Sequence, residues 1–275
     1  MPVRFVQSKQ NARLKELRRA LAKPPRAGGE LAGIEGPNLL KEAFRTKLRV
    51  ECVFLRLGDE GVIASGPDPD RPDPDIFDTL MVPAELFDSI LQTETPQPVA
   101  ALVETPQWTW QDVLAVRSGI APLIIVLAGL QDPGNLGTIL RSAEAFGATG
   151  VVSLPGTVSA WNAKAVRASA GSVFRVPLIS AGIDECAARL NQNGVKLWTT
   201  SARDARPAPD INLTVPVAVL IGNEGNGVAD GIAARADGAL TIPCPGPVES
   251  LNAAVAASVL LYEAAQQRSR KGGTR

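Results

Sequence analysis

The chain has 275 residues, with 28 Lys+Arg against 28 Asp+Glu and no histidine. Formal neutrality excludes a uniformly basic nucleic-acid coat. The missing imidazole excludes Ser-His-Asp and Cys-His catalysis, imidazole proton shuttling and every His-containing metal site. With 45% apolar residues the chain can build one large or two modest domains, each with its own core. Neutrality is an average: residues 1–56 carry 13 basic and 5 acidic groups, 57–112 carry 1 and 12, 113–267 carry 10 and 11, and 268–275 carry 4 and 0. The basic first block is either a footprint for phosphate backbones or a solvated, charge-laced helical surface.

Cys52, Cys186 and Cys244 are dispersed, with no C-x-x-C. This argues against a disulfide framework or structural zinc and for a reducing, cytoplasmic setting. The longest apolar runs, such as 123–129, are too short to span a bilayer, and the first residues lack a signal-peptide core, so a soluble protein without a membrane partner is expected.

In chain order, QSKQNARLKELRRALA at 7–22 places Leu14, Leu17 and Leu21 on one face of an amphipathic helix. A short strand AGIEG, a helix over 38–47 opened by Pro37 and the strand VECVFLRL at 50–57 follow. GPDPDRPDPD at 66–75 reads as a surface loop. A helix near 84–91 and the strand PVAALVE at 98–104 complete a small α/β unit over 1–105, and 106–121 reads as a linker. Trp108 and Trp110 within it either stack RNA bases or pack on the following core.

From residue 122 to 275 buried strands alternate with helices. The strands are LIIVLAGL (123–130), GVVSL (150–154), FRVPLI (174–179), VKLWTT (195–200), VAVLIG (217–222) and ALTIP (239–243). The helical patterns lie near 135–146, 161–169, 184–193, 227–235 and 250–267. This alternation predicts a mostly parallel sheet covered on both faces, with its ligand site at the carboxyl ends of the strands, in the loops after 130, 222 and 243.

Three loops carry the chemistry. In LAGLQDPGNLGTILRSAEAFGA, Asn135 is a candidate N-cap, and Gly134, Gly137 and Arg141 recur at helical spacing. They form either a bare channel leading a phosphate to a guanidinium, or a turn whose Arg141 pairs with Glu144 or Glu224. VAVLIGNEGNGV runs a buried strand into a tight turn bearing one carboxylate, Glu224. It lacks the dinucleotide and P-loop glycine patterns, which disfavours a nucleotide-dependent oxidoreductase. LTIPCPGPVESLNAAVAASVLLYEAA has a stiff proline loop, Ser250 as a candidate N-cap and a helix of small residues suited to a close subunit contact.

The ordered segments NLGTILRSAEAFGA, IGNEGNGV and IPCPGPVESLNAAVA resemble the three signature motifs of the SpoU (TrmH) family of RNA 2′-O-ribose methyltransferases, within the SPOUT superfamily. AVRASAGSVFRVP between them resembles that family as well. So does the layout, in which a ribosomal-protein-like α/β substrate-binding domain precedes the catalytic one. The resemblance implies a C-terminal SPOUT domain with a deep trefoil knot, an exception to the rule against threaded chains, together with a homodimer and S-adenosyl-L-methionine as cofactor. It implies that Gly222, Ile242 and Leu251, with neighbouring Asn223 and Pro243, hold the cofactor, and that Asn135, Arg141, Glu224, Ser250 and Asn252 form the polar catalytic set. Cys244-Pro245 departs from the methionine and small residue common in the family.

The implied reaction moves a methyl group from a sulfonium to a ribose 2′-OH and needs neither metal nor covalent intermediate. A guanidinium stays protonated at ordinary pH, so Arg141 is better suited to clamping the adjacent phosphate and stabilising alkoxide charge than to acting as a base. Ribosomal RNA is the expected substrate and DNA is not. The alternatives are a tRNA 2′-O-methyltransferase and a non-catalytic dimeric RNA-binding protein.

Overall fold

The computed structural model describes residues 3–272 apart from 26, 60, 62–76, 92, 117–118, 202–203, 224 and 249. The 66–75 loop and Glu224 therefore lie outside the described residues. Two compact units are present: Met1–Gln107 with Ser159–Phe174, and Trp108–Val158 with Arg175–Arg275.

The first unit holds a five-stranded mixed sheet of β1 (Arg4–Phe5), β2 (Leu31–Glu35), β3 (Val50–Arg56), β4 (Asp78–Val82) and β5 (Val99–Glu104), ordered β1-β4-β3-β5-β2. Strands β1, β4 and β3 run parallel, while β5 is antiparallel to both β3 and β2. Helix α1 (Ala12–Ala22) starts at Asn11, whose side chain accepts from the Arg13 and Leu14 N–H groups. It buries Leu14, Leu17, Ala20 and Leu21 in a core with Phe54, Val82, Phe87 and Leu102, each large side chain contributing about 1.5–3 kcal/mol. A Cβ on Gly33 of β2 would meet the Leu21 side chain at 2.8 Å, so the glycine allows the close approach of helix to strand. Helices α2 (Pro37–Arg45) and α3 (Ala84–Asp88) complete this half. Strand β4 was not anticipated, because the Pro/Asp-rich stretch before it obscures where an extended segment begins.

The second unit is built on seven strands: β6 (Leu123–Leu127), β7 (Gly150–Ser153), β8 (Leu178–Ser180), β9 (Lys196–Thr200), β10 (Arg206–Pro207), β11 (Val217–Ile221) and β12 (Gly238–Thr241). Their order is β10-β12-β9-β11-β6-β7-β8, and every neighbouring pair is parallel. The central strands are buried along their whole length, as a sheet covered on both faces requires. Around it lie α4 (Trp110–Val113), α5 (Pro133–Ala145), α7 (Ile183–Gln192), α8 (Asp230–Ala233) and α9 (Ala253–Gly272); α6 (Ala163–Ser169) belongs to the first unit.

Several sequence expectations change here. Residues 106–121 contain helix α4, opened at Thr109, whose N–H and hydroxyl both donate to Asp112 Oδ2, at 2.8 and 2.6 Å. Trp110 packs against the core of the second unit and its Nε1 donates to Glu185 at 2.9 Å, which settles this ring as a packing group. The 174–179 segment is not one strand: Ser172–Phe174 form a 3-10 turn, with Phe174 stacked on Trp161, and only Leu178–Ser180 pair with β7. Pro177 has no N–H for the ladder, and its carbonyl accepts from Val151 where pairing starts.

Candidate functional site

The carboxyl ends of β9, β11 and β12 open into a cleft of about 560 Å³ in the second unit. It is lined by Gly222 and Asn223 after β11, Ile242 and Pro243 after β12, and Ser250 and Leu251 before α9. All five residues expected to hold the cofactor, and one of the polar set, therefore share a single wall system. Thr200 and Ser201, at the end of β9, also line it. They were missed, although the rule that ligands lie at the carboxyl ends of parallel strands applies to β9 as much as to the three loops chosen.

The turn after β11 is held by backbone and by one side chain. Asn223 and Gly227 exchange N–H···O hydrogen bonds of 2.9 Å in each direction. The Asn223 Oδ1 accepts from Gly225 N–H at 2.8 Å, and its Nδ2 donates to the Gly129 carbonyl at 2.9 Å. This ties the loop after β11 to the loop after β6. Gly129 N–H in turn donates to Thr157 Oγ1, which donates to Leu127 O. Gly222 is buried, and a Cβ there would collide with the backbone of Gly227 and Val228. Glycine at 222 is thus fixed by the fold of the turn itself.

The expected helix caps move. Asp132, not Asn135, caps α5, its side chain accepting from Gly134 N–H at 3.0 Å. Asn252, not Ser250, caps α9, accepting from Ala254 and Val255 N–H. In both helices a cap-competent residue two or three positions away competes for the role, and sequence preference does not separate them. The reassignment has a chemical consequence. With Oδ1 of Asn252 committed to the helix, its Nδ2 donates to Asn135 Oδ1 at 3.1 Å, joining two members of the polar set across α5 and α9.

These two helices continue side by side. Ser258 donates its hydroxyl to Ala254 O, so the 2.7 Å contact with Ser142 has Ser142 as donor, and further along Phe146 meets Tyr262 edge-on. Arg141 lies on the exposed side of α5 and has no side-chain partner among the described residues. Its alternative partner Glu144 is engaged by Arg175 through Nε and Nη2. Gly137, by contrast, is buried, so the stripe from Gly134 to Arg141 is not an open channel. The structure brings Asn135 to Asn252 and Ser250 to the cofactor-type cleft, but Arg141, Asn135 and Asn252 do not line that cleft.

Three free thiols are present. Burial pushes Cys52 up to about 12, and Cys186 likewise to about 12, whereas Cys244 is exposed on the cleft. No described helix is long and apolar enough to cross a membrane.

A scan against protein-family models matches residues 122–262 to the SpoU rRNA Methylase family. A Bacillus subtilis protein named 23S rRNA (guanosine(2553)-2′-O)-methyltransferase is 32% identical over 257 residues, 94% of this chain and 97% of that protein. Among solved structures, the SpoU methyltransferase AviRb from Streptomyces viridochromogenes with AdoMet matches with a TM-score of 0.79 and 26% identity, covering 94% of this chain and 99% of that one. The AdoMet-bound rRNA methyltransferase from Sinorhizobium meliloti matches with a TM-score of 0.79 and 27% identity, over 96% and 98% of the two chains. With the family match lying over the parallel-sheet half that holds the cleft, and relatives aligned along nearly the whole length, the chain belongs to the SpoU rRNA methylase family.

Proposed function

We propose that the chain transfers a methyl group from S-adenosyl-L-methionine to a ribose 2′-OH in ribosomal RNA. The observation that carries this reading is the convergence of the second and third motif loops on one cleft at the carboxyl ends of the parallel strands, with the loop before the first motif tied to the second by the Asn223 Nδ2 donation to Gly129 O. The cleft suits such a cofactor: it has the volume of a small-molecule site, and Gly222, Gly225 and Gly227 in its lining leave backbone that an adenosine can approach closely. Gly222, Asn223, Ile242, Pro243 and Leu251 hold the cofactor, whose sulfonium supplies an already activated methyl group when bound.

The remaining polar residues act on the RNA. Arg141 clamps the phosphate next to the target ribose, orients the 2′-OH and stabilises alkoxide charge as it develops. The Asn135–Asn252 pair fixes the first turns of α5 and α9 against each other, so that Arg141 is presented from a rigid helix. Ser250 donates from the cleft wall, and Glu224 orients the arginine or the sugar.

The first unit binds RNA. Lys15, Arg18 and Arg19 on α1 are exposed and have no ion-pair partner among the described residues, whereas Arg13 is engaged by Glu16 and Glu51. The basic block is therefore only partly neutralised within the unit. A homodimer is supported by Val255, Val259 and Tyr262, 49%, 40% and 51% exposed at i, i+4 and i+7 of α9, an apolar stripe that a second copy would cover. The order β12-β9-β11-β6, with a late strand between two earlier ones, is compatible with a trefoil knot in the second unit. The cytoplasm is the compartment where such an RNA substrate occurs.

The test is transfer of labelled methyl from S-adenosyl-L-methionine to ribosomal RNA and to tRNA lacking the modification, with 2′-O-methyl mapping of the product. Methylation of ribosomal RNA is expected. Binding of NAD without binding of S-adenosyl-L-methionine, or transfer to tRNA alone, overturns the reading.

A further inference from the structure

A second cavity, of about 450 Å³, is lined wholly by residues of the first unit, at 35–39, 93–97 and 167–170. One wall is the end of β2. Glu35 is 6% exposed; its Oε1 accepts from the Thr93 hydroxyl at 2.6 Å and from Gln97 N–H at 3.0 Å. Its Oε2 has no hydrogen-bond partner among the described residues, although the side chain lines the cavity. Oε2 is thus an open acceptor on the cavity wall, held in place by the two hydrogen bonds to Oε1.

The opposite chemistry surrounds it. Helix α2 begins at Gly36, which has φ +104 and offers no side-chain cap, and Pro37 contributes no N–H. The free donors and positive end of its first turn, from Asn38 onward, face the same cavity. Arg167 of α6 lines it too, exposed and without an ion-pair partner among the described residues. One acceptor anion thus sits beside two features that attract an anion. The complementary ligand carries adjacent N–H donors on one edge and a negative charge at its other end.

Among nucleobases only guanine offers neighbouring N1–H and N2–H donors. Adenine and cytosine place a ring-nitrogen acceptor beside their amino group, and uracil flanks its single N–H with two carbonyls, so each brings an acceptor against the carboxylate. We propose that this cavity is a guanine subsite for an unstacked RNA nucleotide, in which the open Oε2 of Glu35 accepts from both the N1–H and N2–H of the base edge while Arg167 and the first turn of α2 hold the phosphate. The proposal rests on RNA being the substrate. It adds a specificity-determining residue that is not among those lining the methyl-transfer cleft.

The test uses the full chain with GMP, AMP and guanosine as probes, by calorimetry or ligand-observed NMR, with S-adenosyl-L-methionine titrated in parallel. GMP is expected to bind about tenfold or more tighter than AMP, within the range for a two-donor base contact. Glu35→Gln, which keeps an acceptor for Thr93, should erase that preference. Arg167→Ala, a surface change that leaves the core intact, should weaken GMP severalfold and leave guanosine unchanged. Affinity for S-adenosyl-L-methionine should be the same in all three proteins. Equal binding of GMP and AMP by the unmodified chain, or an undiminished preference in Glu35→Gln, overturns the subsite and leaves the methyltransferase reading standing. Loss of cofactor binding in the unmodified chain would instead remove that reading.

Discussion

The cleft over the parallel sheet and the cavity of the first unit differ in what walls them. The cleft carries three glycines, Gly222, Gly225 and Gly227, in a turn held by Asn223 and by reciprocal N–H···O bonds. The cavity beside β2 carries two charged side chains, Glu35, held by Thr93 and Gln97, and Arg167 on α6. A glycine turn tolerates little change where a Cβ has no room, as at Gly222. Side-chain walls select by donor and acceptor pattern and can be switched by replacing one atom.

The sharpest way to break this division is Arg141→Lys, which retains charge and removes the bidentate fork. Single-turnover methyl transfer should fall about 10²- to 10³-fold, the scale for losing one aligned donor, with cofactor affinity unchanged. Near-normal transfer would remove Arg141 from the chemistry. Next comes Gly222→Ala, whose new methyl has no room against Gly227 and Val228. Overpacking of about 1–3 kcal/mol is expected, read as a lower Tm and as cofactor affinity reduced at least tenfold, with GMP binding intact. Simultaneous loss of both ligands would show that the two sites are not independent.

The two cores can be compared through one thiol in each. Cys52 and Cys186 are raised by burial from an ordinary value of 9.0 to about 12. The folded state therefore resists ionisation that the unfolded chain undergoes. The stability this represents is complete below pH 9 and is lost as pH rises from 9 toward 12, at about 1.4 kcal/mol per pH unit for each thiol. Urea melts at pH 8, 9.5 and 10.5 should show that slope, and Cys52→Ala or Cys186→Ala should each remove half of it. At pH 8 iodoacetamide should modify Cys244 alone in the native protein.

The smallest effect expected is at the α5–α9 seam. Asn252→Asp keeps the helix cap and loses the donation to Asn135, whereas Asn252→Ala loses both. The alanine variant should be less stable by about 1 kcal/mol and the aspartate variant by less. If both are equally slow in methyl transfer while only alanine is destabilised, the amide pair positions the site rather than merely capping the helix.

The parallel half of the molecule was legible in the sequence because Val/Ile/Leu runs such as LIIVL and VAVLI have no polar alternation and therefore mark strands buried on both faces. The order of the motif loops identified the family, and the five residues assigned to cofactor binding meet in one cleft. Strand β4 escaped notice behind a Pro/Asp-rich stretch, and the caps at Asp132 and Asn252 were misassigned because several cap-competent residues stand within one turn.

By itself the sequence determined what depends on local chemistry: the absence of imidazole chemistry, the alternation of strands and helices, and glycines where turns are tight. Only the tertiary structure decided which distant groups meet. It took residues 159–174 out of the parallel-sheet half and set Arg167 beside a cavity with Glu35, and it turned the Asn252 amide toward Asn135. Such pairings join positions separated by about a hundred residues or more, where no periodicity or spacing records them, and they are set by the burial of apolar faces across the whole fold.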